Sequence, residues 1–244
     1  MNRTRGGTMF KLNDAVRFRR SVTGVLLILA PLLQLIAVLV DPGTWGDDRE
    51  SVSFGDNPAL AQLQSALYHW SWILLPVALI GVLHVARRRG VVLGHIGGAM
   101  SVLGFLSLSG LLMIDPVEWY LGQHNPPEQA AKILDEMLNL PGVVFGFQMP
   151  WIFFGPIGAG LVAIALRRAG FAPWWVVGAI LLGWWAGFLA PYGPLTVPLW
   201  AAPVAAFGYL GVKVLRMTDA EWVSYYPSAA PGVTTPDSYA NTTA

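Results

Sequence analysis

Four histidines, a pair of carboxylates and two amides are the side chains of this chain whose types and spacing point to chemistry. His69 falls amid Tyr68, Trp70 and Trp72, and Asp115 and Glu118 lie three residues apart in the run Ile114-Asp-Pro-Val-Glu-Trp-Tyr120. Residues three apart share a face if a helix continues through them. Two carboxylates beside Trp119 and Tyr120 could protonate an apolar substrate or hold a cation. Pro116 argues against a continuous helix there. Asp115, Glu118 and His69 are the acid–base candidates, against the plainer alternative of a solvated helix end anchored by aromatics.

His84 and His95 are the weak metal candidates. A hairpin between them would set both imidazoles at similar depth beside Arg87, Arg88 and Arg89, where they could share a metal, a proton or a ligand phosphate. Interfacial imidazoles bonded to backbone or headgroups explain them as simply. Paired haem ligands must face one another from different helices. The last three apolar runs hold no histidine, and His124 lies in a polar connection, so haem is not expected and no cofactor is predicted. With no cysteine, disulfides and thiolate chemistry are excluded.

Gln34 and Gln148 are the strongest polar groups inside apolar stretches, and with His69 and Trp72 they are the ligand-binding candidates. Ser71, Ser101, Ser107 and Ser109 read as small residues that let helices approach. No P-loop, His-Glu-x-x-His, G-x-S-x-G or nucleic-acid signature is present. No nucleic-acid partner is expected.

These side chains need elements to hold them, and composition says which. The 244 residues are 55% hydrophobic and 12% charged, where a soluble domain usually carries about 25% charged residues. So few charges cannot cover a surface facing water. Apolar runs fall at about 21–40, 66–86, 91–114, 143–166, 174–190 and 197–215. A helix needs about 20 apolar residues to cross a ~30 Å hydrocarbon core, and the fifth run is short. No Asp, Glu, Lys or Arg lies within any of the first five runs, and Lys213 falls in the last turn of the sixth. An ion-coupled transporter usually places such a group near mid-membrane. The runs lack the alternation of barrel strands. The expected fold is an all-α membrane protein of six transmembrane helices.

If each run crosses once, thirteen of the fifteen Lys and Arg residues fall on one side. They are Arg3, Arg5, Lys11, Arg17, Arg19 and Arg20, then Arg87–Arg89, Arg167 and Arg168, and Lys213 and Arg216; only Arg49 and Lys132 lie opposite. Short basic loops stay cytoplasmic, which places both termini inside. Most carboxylates then lie outside, Asp41, Asp115 and Glu118 among them. Arg outnumbers Lys, and Ala, Gly and Pro are abundant, as in a GC-rich bacterium; the expected site is the bacterial cytoplasmic membrane.

Residues 1–20 read as a basic cytoplasmic segment, 21–217 as the membrane domain, and 218–244 as a cytoplasmic tail, mostly disordered. Thr218-Asp-Ala-Glu221 fits a capping box. In the second outer loop, Ile133, Leu134, Met137 and Leu138 alternate with charged residues in the pattern of a short amphipathic helix. Prolines at 76, 156 and 203 interrupt spans two, four and six. An offset of 80 residues relates Pro76, Arg87, Arg88, Gly90 and Gly98 to Pro156, Arg167, Arg168, Gly170 and Gly178, which leaves a duplicated hairpin open.

The segment Ala165-Leu-Arg-Arg-Ala-Gly-Phe-Ala-Pro-Trp-Trp-Val-Val-Gly-Ala-Ile180 resembles uncharacterised multi-span membrane proteins of high-GC Gram-positive bacteria. The likeness spans the second to fifth runs and implies a bacterial integral membrane protein, with no catalytic residues carried over. Three functional expectations follow from the residues. The first is a non-catalytic binder of a lipid-like ligand, of a partner membrane subunit or of a second copy of itself in a homo-oligomer. The alternatives are a membrane-embedded enzyme acting on an isoprenoid or lipid, and a small transporter.

Overall fold

A computed structural model describes residues 15–45, 57–189 and 193–225. It is 89% helix, with no strand among the described residues. The long helices are α1 (Ala15–Val40), α2 (Pro58–Val82), α3 (Val91–Leu111), α6 (Met149–Arg168), α7 (Trp174–Leu189) and α8 (Thr196–Arg216); between and after them come α4 (Asp115–His124), α5 (Pro127–Leu138) and α9 (Asp219–Ser224). Helical stretches at five places are long and apolar enough to cross a membrane, namely 15–40, 58–86, 91–124, 141–168 and 196–216. That pattern is compatible with a multi-pass membrane protein. The helix over the fifth apolar run, α7, has sixteen residues, which at 1.5 Å per residue gives about 24 Å.

Helix boundaries move from the apolar runs where local signals outweigh hydropathy. α2 begins at Pro58, eight residues before its apolar run, because Asn57-Pro58 starts a helix with proline at its first position. The chain also stays helical through Asp115-Pro116, contrary to the expected break. A 3₁₀ turn over Leu112–Ile114 lets Pro116 enter at the start of α4, where its missing N–H is not needed. The amphipathic α5 is present, its four apolar residues half-buried and Glu128, Lys132, Asp135 and Glu136 exposed.

The six long helices pack antiparallel in chain order, and α8 returns to α1, so they close into a ring. In lipid, apolar surface supplies no drive between helices, so close packing and interhelical hydrogen bonds must. Glycine brings the backbones of α3 and α6 together. A Cβ on Gly97 would lie 2.7 Å from the carbonyl oxygen of Gly158, and one on Gly158 would lie 2.5 Å from the amide nitrogen of Ser101. Gly24 of α1 meets Gly211 of α8 in the same way. The Ser71 hydroxyl donates to the Ala30 carbonyl at 2.7 Å, tying α2 to α1.

Both Arg-Arg turns end on a left-handed glycine, Gly90 at φ 81° and Gly170 at φ 73°. Such a residue closes a helix without a Cβ penalty, so the two hairpins related by 80 residues share one turn geometry. The Arg-rich end of the ring is clasped by α9. Arg17 and Arg20 pair with Asp219 at 3.2 and 3.0 Å, and Trp222 stacks on His84 with ring centroids 4.7 Å apart. The expected capping box is formed: Thr218 accepts from the Glu221 amide, and the Glu221 carboxylate accepts from the Thr218 amide at 2.6 Å.

Candidate functional site

An aromatic cluster fills the middle of the ring. Trp72 of α2, 2% exposed, has ring centroids 5.2 Å from Phe105, 6.2 Å from Trp184, 6.1 Å from Trp151 and 6.2 Å from Trp200. Tyr68, one helical turn away, stacks nearly parallel to Trp72 and tilts against Trp200. Edge-on and tilted arrangements are the ones the ring quadrupoles favour. Toward the Arg-rich end the centre is close-packed by Leu27, Leu79, Phe207 and Leu210.

Toward the opposite end the cluster opens into a cavity of about 250 Å³. Every helix of the ring contributes: Val38 and Asp41 at the end of α1, Tyr68 and Trp72 of α2, Leu108 of α3, Trp151 of α6, Gly187 of α7, and Thr196 and Trp200 of α8. A small ligand site with an aliphatic and aromatic wall and a few placed polar groups has this composition. Gly187 matters because a Cβ there would meet the Trp200 indole nitrogen at 3.0 Å.

Asp41 is 7% exposed. Its carboxylate accepts a hydrogen bond from Gln64 Nε2 at 2.9 Å. Its amide continues the α1 ladder by donating to the Ala37 carbonyl, and its own carbonyl accepts from the Thr44 amide of the short helix Pro42–Trp45, so Asp41 joins two helix ends. The next residue of α2, Ser65, hydrogen-bonds the carboxylate of Asp115. Neighbouring α2 residues thus hold one carboxylate from each flanking helix.

The residues singled out in the sequence divide among several places. Trp72 lines the cavity. Gln34 is 1% exposed, and neither atom of its amide has a hydrogen-bond partner. Spacings of four and seven put it on the same face of α1 as Val38 and Asp41, below the cavity. Gln148 ends a π-helical turn over Val144–Gln148 and donates to the Leu138 carbonyl at 2.9 Å. It secures the end of α5 and does not line the cavity.

His69 turns to the neighbouring helix, its Nδ1 sharing a hydrogen bond of 3.0 Å with Ser109 Oγ. Asp115 and Glu118 are half-buried on one continuous helix, and Asp115 stands one turn beyond Leu112. None of these three acid–base candidates is among the cavity-lining residues. His84 and His95 do border one groove with Arg87. His84 Nε2, however, bonds the Trp222 carbonyl at 2.8 Å, and His95 Nδ1 bonds the Val91 carbonyl of its own helix. Among the described residues no group of three or more His, Asp or Glu side chains is gathered to hold a metal.

Asp41, Tyr68, Trp151 and Trp200 were not singled out by sequence. They come from four helices, and only the closure of the ring brings them together. The local signal was Asp41 itself, a carboxylate at the end of an apolar run. No family model, curated protein or solved structure matches the chain, so function is argued from its own geometry.

Proposed function

We propose that the chain is a six-span protein of the bacterial cytoplasmic membrane, with both termini in the cytoplasm, that binds a lipid-like ligand non-catalytically in the aromatic cavity. The single observation carrying this reading is the cavity itself, lined by residues from all six helices at the end away from the arginines. The basic residues of the inter-helix turns cluster at the other end, and the positive-inside rule assigns that end to the cytoplasm. α7 then makes the sixth crossing, its short helix supplemented by flanking residues or by local thinning of the bilayer. The amphipathic α5 lies along the outer membrane surface in this arrangement.

Binding is favoured over passage because the centre of the ring between cavity and arginines is filled with side chains. It is favoured over catalysis because His69, Asp115 and Glu118 stand outside the cavity wall. A bound lipid is the ligand of first choice; a partner membrane subunit or a second copy would use the lipid-facing surface instead.

Native mass spectrometry of protein extracted in mild detergent tests the reading. A stoichiometric adduct of lipid mass, lost on substitution of Trp200→Ala in a protein that still elutes as a single folded species, is expected. A ligand-free protein from membranes, unchanged by adding lipid extract, would overturn it.

A further inference from the structure

The polar character of the cavity is one-sided, and this points to the charge of its ligand. Among the described residues that line it, Asp41 is the only carboxylate and none is Lys, Arg or His. Around Asp41 stand four aromatic rings, with Thr44, Thr196 and the aliphatic side chains of Val38, Leu108 and Leu112. Trp151 and Trp200 meet Trp72 at interplanar angles of 53° and 67°, and Tyr68 meets Trp200 at 60°. All four rings border the cavity. A cation within about 6 Å of a Trp or Tyr face is attracted by the ring quadrupole, most strongly when desolvated.

Two further features agree in sign. Asp41 is only 7% exposed, and a charge so shielded from bulk water acts more strongly on a neighbouring cation. Gln64, which donates to Asp41, is 8% exposed, and its Oε1 acceptor has no partner. That unpaired oxygen carries partial negative charge beside Asp41 and adds to potential of the same sign.

We propose that the cavity takes an organic ammonium group, seated among Tyr68, Trp72, Trp151 and Trp200 with the Asp41 carboxylate on its wall. This rests on the reading of the cavity as a ligand site and specifies the ligand's head. The ammonium can belong to a lipid headgroup or to a free amine; the recognition chemistry is the same.

The test compares choline with its uncharged carbon isostere, 3,3-dimethylbutan-1-ol, on the unmodified full chain in phosphatidylglycerol nanodiscs, by calorimetry and by quenching of tryptophan emission. Choline should bind at least about tenfold more tightly than the isostere, and Asp41→Asn should weaken choline while leaving the isostere unchanged. Repeating the titration in phosphatidylcholine discs separates the sources: lost choline binding identifies a lipid headgroup, retained binding a free amine, and either supports the inference. Equal binding of choline and isostere overturns the cation assignment and leaves the cavity reading standing. Binding of neither also overturns it, and the lipid adduct in native mass spectrometry then decides separately whether the broader reading survives.

Discussion

Substituting Gly104→Ala should damage the protein while Gly208→Ala should not, although each adds one methyl to one helix. A Cβ on Gly104 would fall 2.5 Å from the Cα of Gly155 and 2.8 Å from the carbonyl carbon of Phe154. Carbon atoms pack best at about 3.5–4.0 Å, so α3 and α6 must part by about 1 Å at their crossing, and a gap of that size forfeits a quarter to a half of each contact's attraction. Because both obstructing atoms belong to backbone, no side-chain rotation relieves the clash. Overpacking of this kind costs roughly 1–3 kcal/mol. A Cβ on Gly208, within α8, would meet nothing within 4 Å. There the change acts through helix propensity alone and stabilises by up to about 1 kcal/mol. The two variants should therefore differ by about 2–4 kcal/mol. Unfolding each in mixed micelles with rising dodecyl sulfate, followed by tryptophan emission, measures the difference. Equal midpoints, or a Gly104→Ala variant as stable as the parent, would show that the α3–α6 contact is not where the structure places it.

Gln34→Leu removes two buried polar atoms that have no partner, and in the absence of ligand it should leave stability unchanged or raise it by about 1 kcal/mol. A marked loss in the same titration would mean that the amide is satisfied after all. Trp72→Ala should cost about 3–5 kcal/mol because it empties the centre of the aromatic cluster, whereas Trp72→Phe should retain most of the stability; matching losses would argue against ring packing as the cause. At the Arg-rich end, desolvation is the largest single influence on Asp219 and opposes its ionisation, but the hydrogen bonds and charge of Arg20 and Arg17 together hold its carboxyl below the usual range. A carboxylate so lowered contributes its stability above the ordinary value and loses it as pH falls through the folded one. A spin label at Ser224 should thus keep constant mobility from neutral pH to about pH 5 and loosen below about pH 4; loosening between pH 5 and 8 would contradict the clasp.

Hydropathy was enough to locate the six helices, because each is an apolar run bounded by charge or proline. It did not reveal which helix touches which. In a soluble bundle the buried face is the apolar one, but here the faces toward lipid and toward protein are equally apolar: Leu103 and Leu106 are exposed on the same helix whose Phe105 and Leu108 are buried. The contacts are carried by glycines and serines, whose partners periodicity cannot name. For the same reason Trp72 was legible as a site residue by its polar and aromatic neighbours, while Trp151 and Trp200 were not. Asn57-Pro58 carries a helix start that lies outside the apolar run, and Pro116 opens α4 where a break is expected. Gln148 was polar enough to attract attention, but its amide is taken up by the end of α5.

The absence of cysteine permits the most direct test of the whole arrangement. Single cysteines placed at Ala59 and Gln123, exposed beside the carboxylate end, and at Arg88 and Ser224, exposed beside the arginine end, can be treated in intact cells with a membrane-impermeant maleimide. Labelling at Ala59 and Gln123 only, with Arg88 and Ser224 reacting once the cells are opened, is the expected result. Labelling of Arg88 or Ser224 from outside would turn the cavity toward the cytoplasm or break the six-crossing path.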